Sequence, residues 1–122
     1  MLRVLVTVAV MVFVSQTGEA ALAAQDEVTI SQIVKNDDGQ GKLGLVLAGS
    51  GQAYMWANSE LEFGRHTAPL FCPPKKLGIT SAQHIAIIKG YIGRNPKAGE
   101  QAASSIIGVQ LDALIETFPC DQ

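Results

Sequence analysis

Two apolar stripes at helical spacing lie between the chain's only two cysteines. That arrangement limits the fold more than any other feature of the 122 residues. Ile85, Ile88 and Ile92, with Tyr91 beside them, follow the segment Thr80-Ser81-Ala82-Gln83. This segment reads as a capping box, in which the Thr oxygen accepts from the third amide and the Gln side chain reaches back. Gly93 to Pro96 ends that helix. The second stripe runs Ala103, Ile107, Leu111, Leu114 and Phe118, and Pro119 terminates it. A connection of about five residues predicts antiparallel packing of the two helices. Cys72 then precedes one helix and Cys120 follows the other, so a disulfide closes the open end of the pair. Closing a loop of this length stabilises by about 4 kcal/mol in the chain-entropy model. Two free thiols are the competing reading. A zinc site is disfavoured, because Cys72, Cys120, His66 and His84 lack ligand spacing.

A third helix is expected from Leu43 to Leu61. Leu43, Leu47, Ser50, Tyr54, Ala57 and Leu61 form its stripe, and Val46 and Ala53 widen it. Five glycines from Gly39 to Gly51 weaken a helix, so their use is the close approach of another element. Gly64 is the expected stop. Trp56, the only Trp, is expected in the core, with contact to a partner as the other reading. Val28 to Lys35 alternates ambiguously and is taken as a short helix capped by Thr29. Arg65 to Leu77 holds Pro69, Pro73 and Pro74 and reads as loop. The fold class is therefore all-α, a small helical bundle with one disulfide.

Upstream of this bundle, Met1-Leu2-Arg3 is a short basic start, Val4 to Val14 an apolar run, and Ala20 to Ala24 a stretch of small residues. That order is a secretory signal peptide, with Ala21 and Ala23 at the cleavage positions. The apolar run covers about 17 Å of a bilayer core about 30 Å thick, too little to span it. The expected division is a signal peptide over 1–23 and a helical domain over 24–122, without stable membrane insertion after cleavage. Export places the cysteines in an oxidising compartment, the periplasm. The formal charge of −2 argues against a nucleic-acid partner, which calls for a basic stripe.

Catalytic signals are weak. Gly39-Gln40-Gly41-Lys42-Leu43-Gly44 matches G-x-G-x-x-G, but no parallel sheet is readable around it. Ser50 lacks the nucleophile-elbow pattern. Glu60 and Glu62, two apart on a helix, face different directions. His84 reads as exposed or packed on its stripe. No catalytic residue, cofactor or metal is expected.

The segment Ala53-Tyr54-Met55-Trp56-Ala57-Asn58, then Phe71-Cys72-Pro73-Pro74, Leu77, Thr80, Gln83, Tyr91, Pro96, Ala102-Ala103 and Phe118-Pro119-Cys120 together resemble the Rap/Tai immunity family. The similarity covers Gly51 to Cys120. Gly51 and Gln52 stand where that family often has a further Cys. The resemblance implies a periplasmic α-helical inhibitor that binds peptidoglycan-cleaving amidase toxins of type VI secretion. An inhibitor needs a surface that fits a cleft, and the stretch Gly64 to Lys76 is the best candidate. Arg65, His66, Lys75 and Lys76 are its expected polar contacts and Phe71 its apolar one, unless Phe71 packs into the bundle. A homodimer is a further expected association. The alternative function is a small periplasmic stress chaperone resembling the HdeA-like proteins, with no toxin partner.

Overall fold

A computed structural model describes residues 26–121. The expected signal peptide and its cleavage near Ala23 lie outside the described residues. Helix α1 spans Ile30–Val34 and α2 spans Lys42–Ser59, which continues into a π-helical turn at Glu60–Gly64. Helix α3 spans Ser81–Arg94, α4 spans Pro96–Gly99, and a 3-10 turn at Ala103–Ser105 leads into α5, Ile106–Thr117. Among the described residues there is no strand, only an isolated bridge between Thr29 and Ala102. No helix among them is long and apolar enough to cross a membrane.

Two helix starts follow from local chemistry. Thr80 Oγ1 accepts from the Gln83 amide at 3.2 Å, and Gln83 Oε1 accepts from the Thr80 amide at 2.8 Å. Thr29 and Gln32 repeat the device at α1, with distances of 3.3 and 2.8 Å. Each box satisfies two amides that the first turn leaves without partners. The expected short helix after Thr29 is thus present.

Helices α2, α3 and α5 pack on one another, and α1 and α4 close over α3. The core joins Ile30 and Val34 of α1, Leu47 of α2, Ile85 and Ile88 of α3, and Ile106, Val109 and Ala113 of α5. Val28 and Ile30 clamp the connection before α5, through Ala103 N–H to the Val28 carbonyl at 2.8 Å and Ile30 N–H to the Gln101 carbonyl at 2.9 Å.

Helices α3 and α5 depart from the expected antiparallel pair. Gln110 faces His84, and Phe118 lies with Gln83 and Ile87, so two residues far apart on α5 both meet the N-terminal half of α3. Glu116 reaches the other way, to Arg94 at 2.6 Å. The helices cross rather than run side by side. Pro96 opens α4 within the connection, and the clamp to Val28 holds that connection away from a direct hairpin.

The buried faces also differ from the expected stripes. Helix α5 buries Ile106, Val109, Gln110, Ala113 and Leu114, about one position round from the stripe read in sequence. Helix α2 buries Gly44, Leu47, Gly51 and Asn58. Val46 and Ala53, expected to widen the buried stripe, are exposed, as is Ala57. Trp56 is 73% exposed and not a core residue. The cause is that polar groups on α2 take inward positions, as the next subsection describes.

Glycine at position 51 is required by packing. A Cβ there would fall inside contact distance of the His84 ring. Gly108 on α5 has open space around the same position. Gly51→Ala is expected to destabilise by about 1–3 kcal/mol through overpacking. Gly108→Ala is expected to stabilise by up to about 1 kcal/mol. Urea unfolding of both variants checks the pair.

The disulfide joins Cys72 to Cys120, with Cα atoms 4.9 Å apart. Beside it, the Cys72 N–H donates to the Phe118 carbonyl at 2.8 Å. Cys72→Ser and Cys120→Ser are each expected to cost about 2–4 kcal/mol, and the double variant no more than either single. Chemical denaturation under non-reducing conditions measures this; a clearly additive double variant would show that the cysteines act separately.

Candidate binding surface

Two features of the molecule hold polar chemistry in defined geometry: a junction inside the bundle and a groove at one end of it. The junction is built on Gln110, which is fully buried. Its Nε2 donates to the Leu47 carbonyl at 2.7 Å and to His84 Nδ1 at 3.1 Å. Its Oε1 accepts from Ser50 Oγ. Three helices thus meet on one amide. The Leu47 carbonyl can only accept, which fixes the amide's orientation. Nδ1 of His84 must then accept, and the ring proton sits on Nε2.

His84 is buried, and burial pushes its pKa below the ordinary value of 6.5. Its ring borders a small cleft of about 190 Å³ between Gly51, Gln52 and Met55 on one side and Leu77 to Ile79 on the other. Ser50 and His84 both bind Gln110, and an amide stands between the hydroxyl and the imidazole. An amide is not a base, so this arrangement does not activate Ser50. Tyr54 donates its hydroxyl to the Ile107 carbonyl at 2.7 Å. Burial, then the charge of Asp112, raises the Tyr54 pKa above 10.0.

The groove lies between the end of α2 with its π turn and the segment 69–77. It encloses about 590 Å³ and is walled by Met55, Glu62 and Phe63 on the helical side and by Pro74, Lys75 and Lys76 on the other. The loop side is held by one helical side chain. Asn58 Nδ2 donates to the Phe71 carbonyl at 2.7 Å, and Asn58 Oδ1 accepts from the Leu70 N–H at 2.8 Å. The Phe71 ring is 1% exposed and the disulfide ties the next residue to Cys120. Three prolines and these anchors fix the loop before any partner arrives.

The expected contact residues separate into three groups. Lys75 and Lys76 are exposed on the groove wall. Arg65 and His66 are exposed but do not line the groove; Arg65 pairs with Glu60 at 3.6 Å. Of the two places expected for Phe71, contact or core, it takes the core, with the backbone at residues 70 and 71 drawn onto Asn58. The exposed apolar residue at the groove is Phe63, 72% exposed. Sequence reading passed over it, although it lies two helical turns after Trp56, the spacing of a shared face.

Comparison with known proteins gave no match to a family model, a curated protein or a solved structure. The reading of the surface rests on its own geometry.

The His84 environment fixes a pH dependence. Its folded pKa is lowered, while the unfolded chain takes up a proton near pH 6.5. Unfolding therefore gains a proton as pH falls. The stability from neutral His84 is complete above about pH 6.5 and is lost progressively on acidification. NMR titration is expected to place the His84 pKa below 6.5. A His84→Gln variant is expected to lose less melting temperature between neutral and mildly acidic pH than the parent; an equal loss removes His84 as the cause.

Proposed function

We propose that the protein is an exported binding module that blocks a partner enzyme, a peptidoglycan-cleaving amidase, by presenting the groove rim to its cleft. The observation that carries this reading is the pre-anchored loop. Asn58, the buried Phe71 ring and the Cys72–Cys120 bridge hold Lys75 and Lys76 opposite an exposed Phe63. A surface already ordered loses little conformational entropy on binding. An exposed aromatic ring is a favoured interface anchor, and rim lysines steer and orient an acidic cleft. The resemblance of Gly51 to Cys120 to the Rap/Tai immunity family supports the choice of an amidase as target. Periplasmic residence fits the N-terminal sequence and the disulfide.

A second reading, a stress chaperone active in acid, is favoured by one observation. His84 is buried at the junction of three helices with its pKa lowered, so taking up a proton in acid would cost the fold stability. Such a protein would suppress aggregation of many clients at acid pH, whereas an inhibitor binds one enzyme at neutral pH.

Phe63→Ala combined with Lys75→Glu and Lys76→Glu is expected to weaken inhibition of the target amidase by at least about tenfold. The melting temperature should stay the same, since all three side chains are exposed. Titration calorimetry and a cell-wall digestion assay measure the two effects. Full inhibition by the triple variant would discard the groove rim as the contact. Failure to bind any cell-wall hydrolase, from the producing cell or its competitors, would discard the inhibitor reading.

A further inference from the structure

Helix α2 is apolar on its outward side as well as at Leu47 within. Between Lys42 and Glu60 it carries no charged residue. Its inward side holds Leu47 among the small and polar residues Gly44, Ser50, Gly51 and Asn58. Its outward side holds Leu45, Val46, Gly49, Ala53, Trp56 and Ala57, all exposed. At 100° per residue these six lie within about 60° of the direction opposite Gly51, a continuous stripe. Leu45 is 75% exposed and Trp56 73%. A stripe of this width, apolar throughout, belongs against another surface.

We propose that this face pairs with the same face of a second copy of the chain, antiparallel about a two-fold axis at the level of Gly51. The stripe is self-complementary under that operation. Gly49 falls opposite Ala53 of the second copy, so the backbones can approach where the pair is closest. Val46 falls opposite Trp56, and Leu45 opposite Ala57, so each large side chain meets an apolar one. Lys42 falls opposite Glu60, so opposite charges meet at both ends of a contact about 27 Å long. A closed two-fold pair uses one patch twice and leaves no copy of it uncovered. Glu60 makes only an exposed 3.6 Å pair with Arg65, which leaves its carboxylate open to a second cation. Lys75 and Lys76 on the groove's loop wall lie outside the stripe, whereas Phe63 borders it beside Trp56 and Glu60, so the pairing is tested with the lysines alone.

Sedimentation equilibrium of the purified protein, from micromolar to millimolar, is expected to show a mass of two chains. Trp56→Asp should weaken the association at least about thirtyfold. It should keep the helical circular dichroism, because the residue is exposed. Lys42→Glu and Glu60→Lys should each weaken it by about three- to tenfold. Mixing those two variants should restore the parent affinity, since each then meets the opposite charge at both ends. A groove variant with only Lys75→Glu and Lys76→Glu should still dimerise. A monomer at every concentration, a dimer indifferent to Trp56→Asp, or a mixture no tighter than its components overturns the proposal. Shielding of Trp56 from a solute quencher in a monomer also overturns it, because another part of the same chain then covers the face.

Discussion

Gln110 sits on α5 with no exposure to solvent, and its amide has to find partners inside the bundle or pay the cost of losing water. It finds three, on two other helices: Leu47 and Ser50 of α2 and His84 of α3. Each partner is specific in position and in donor or acceptor character. Sliding α5 by one turn would strand a buried amide. The rotation of α5 away from its most apolar stripe follows from this requirement, as does the narrow seat of the His84 ring against Gly51.

The same junction explains the character of α2. A helix that supplies a carbonyl and a hydroxyl to an interior amide must turn those groups inward. Asn58, two turns on, does likewise for the loop at residues 70 and 71. With Gly44, Ser50, Gly51 and Asn58 taking inward positions beside Leu47, the side chains of Leu45, Val46 and Trp56 are left outside. Interior specificity and outward stickiness are one arrangement seen from two sides.

This also sets what could be read from sequence. The capping box at Thr80 and the cap at Thr29 were legible because every partner lies within three residues. The disulfide was legible because only one pairing exists, and the proline-rich segment because proline forbids helix locally. The burial of α2 was not legible. Leu45, Val46 and Trp56 fit a buried stripe as well as the observed face does, and only the distant Gln110 decides between them. On α5, apolar residues surround the helix, so periodicity marks no unique side. Lys75 and Lys76 were found as exposed loop charges. Phe71 stayed open between contact and core because its inward turn depends on Asn58, thirteen residues away. Phe63 was missed because the stripe was read only to Leu61, and the residue lies past it in the π-helical turn that closes α2.

The clamp of Val28 to Ala103 and the bond of Cys72 to Phe118 sit at opposite ends of α5, about 18 Å apart for its twelve residues. The chain therefore enters the fold at one pole, and the groove opens at the other. A molecule held from its N-terminal side presents the groove away from its point of attachment, like a lamp on a bracket. A cargo fused at the C-terminal side, next to Cys120, would instead sit in the light path.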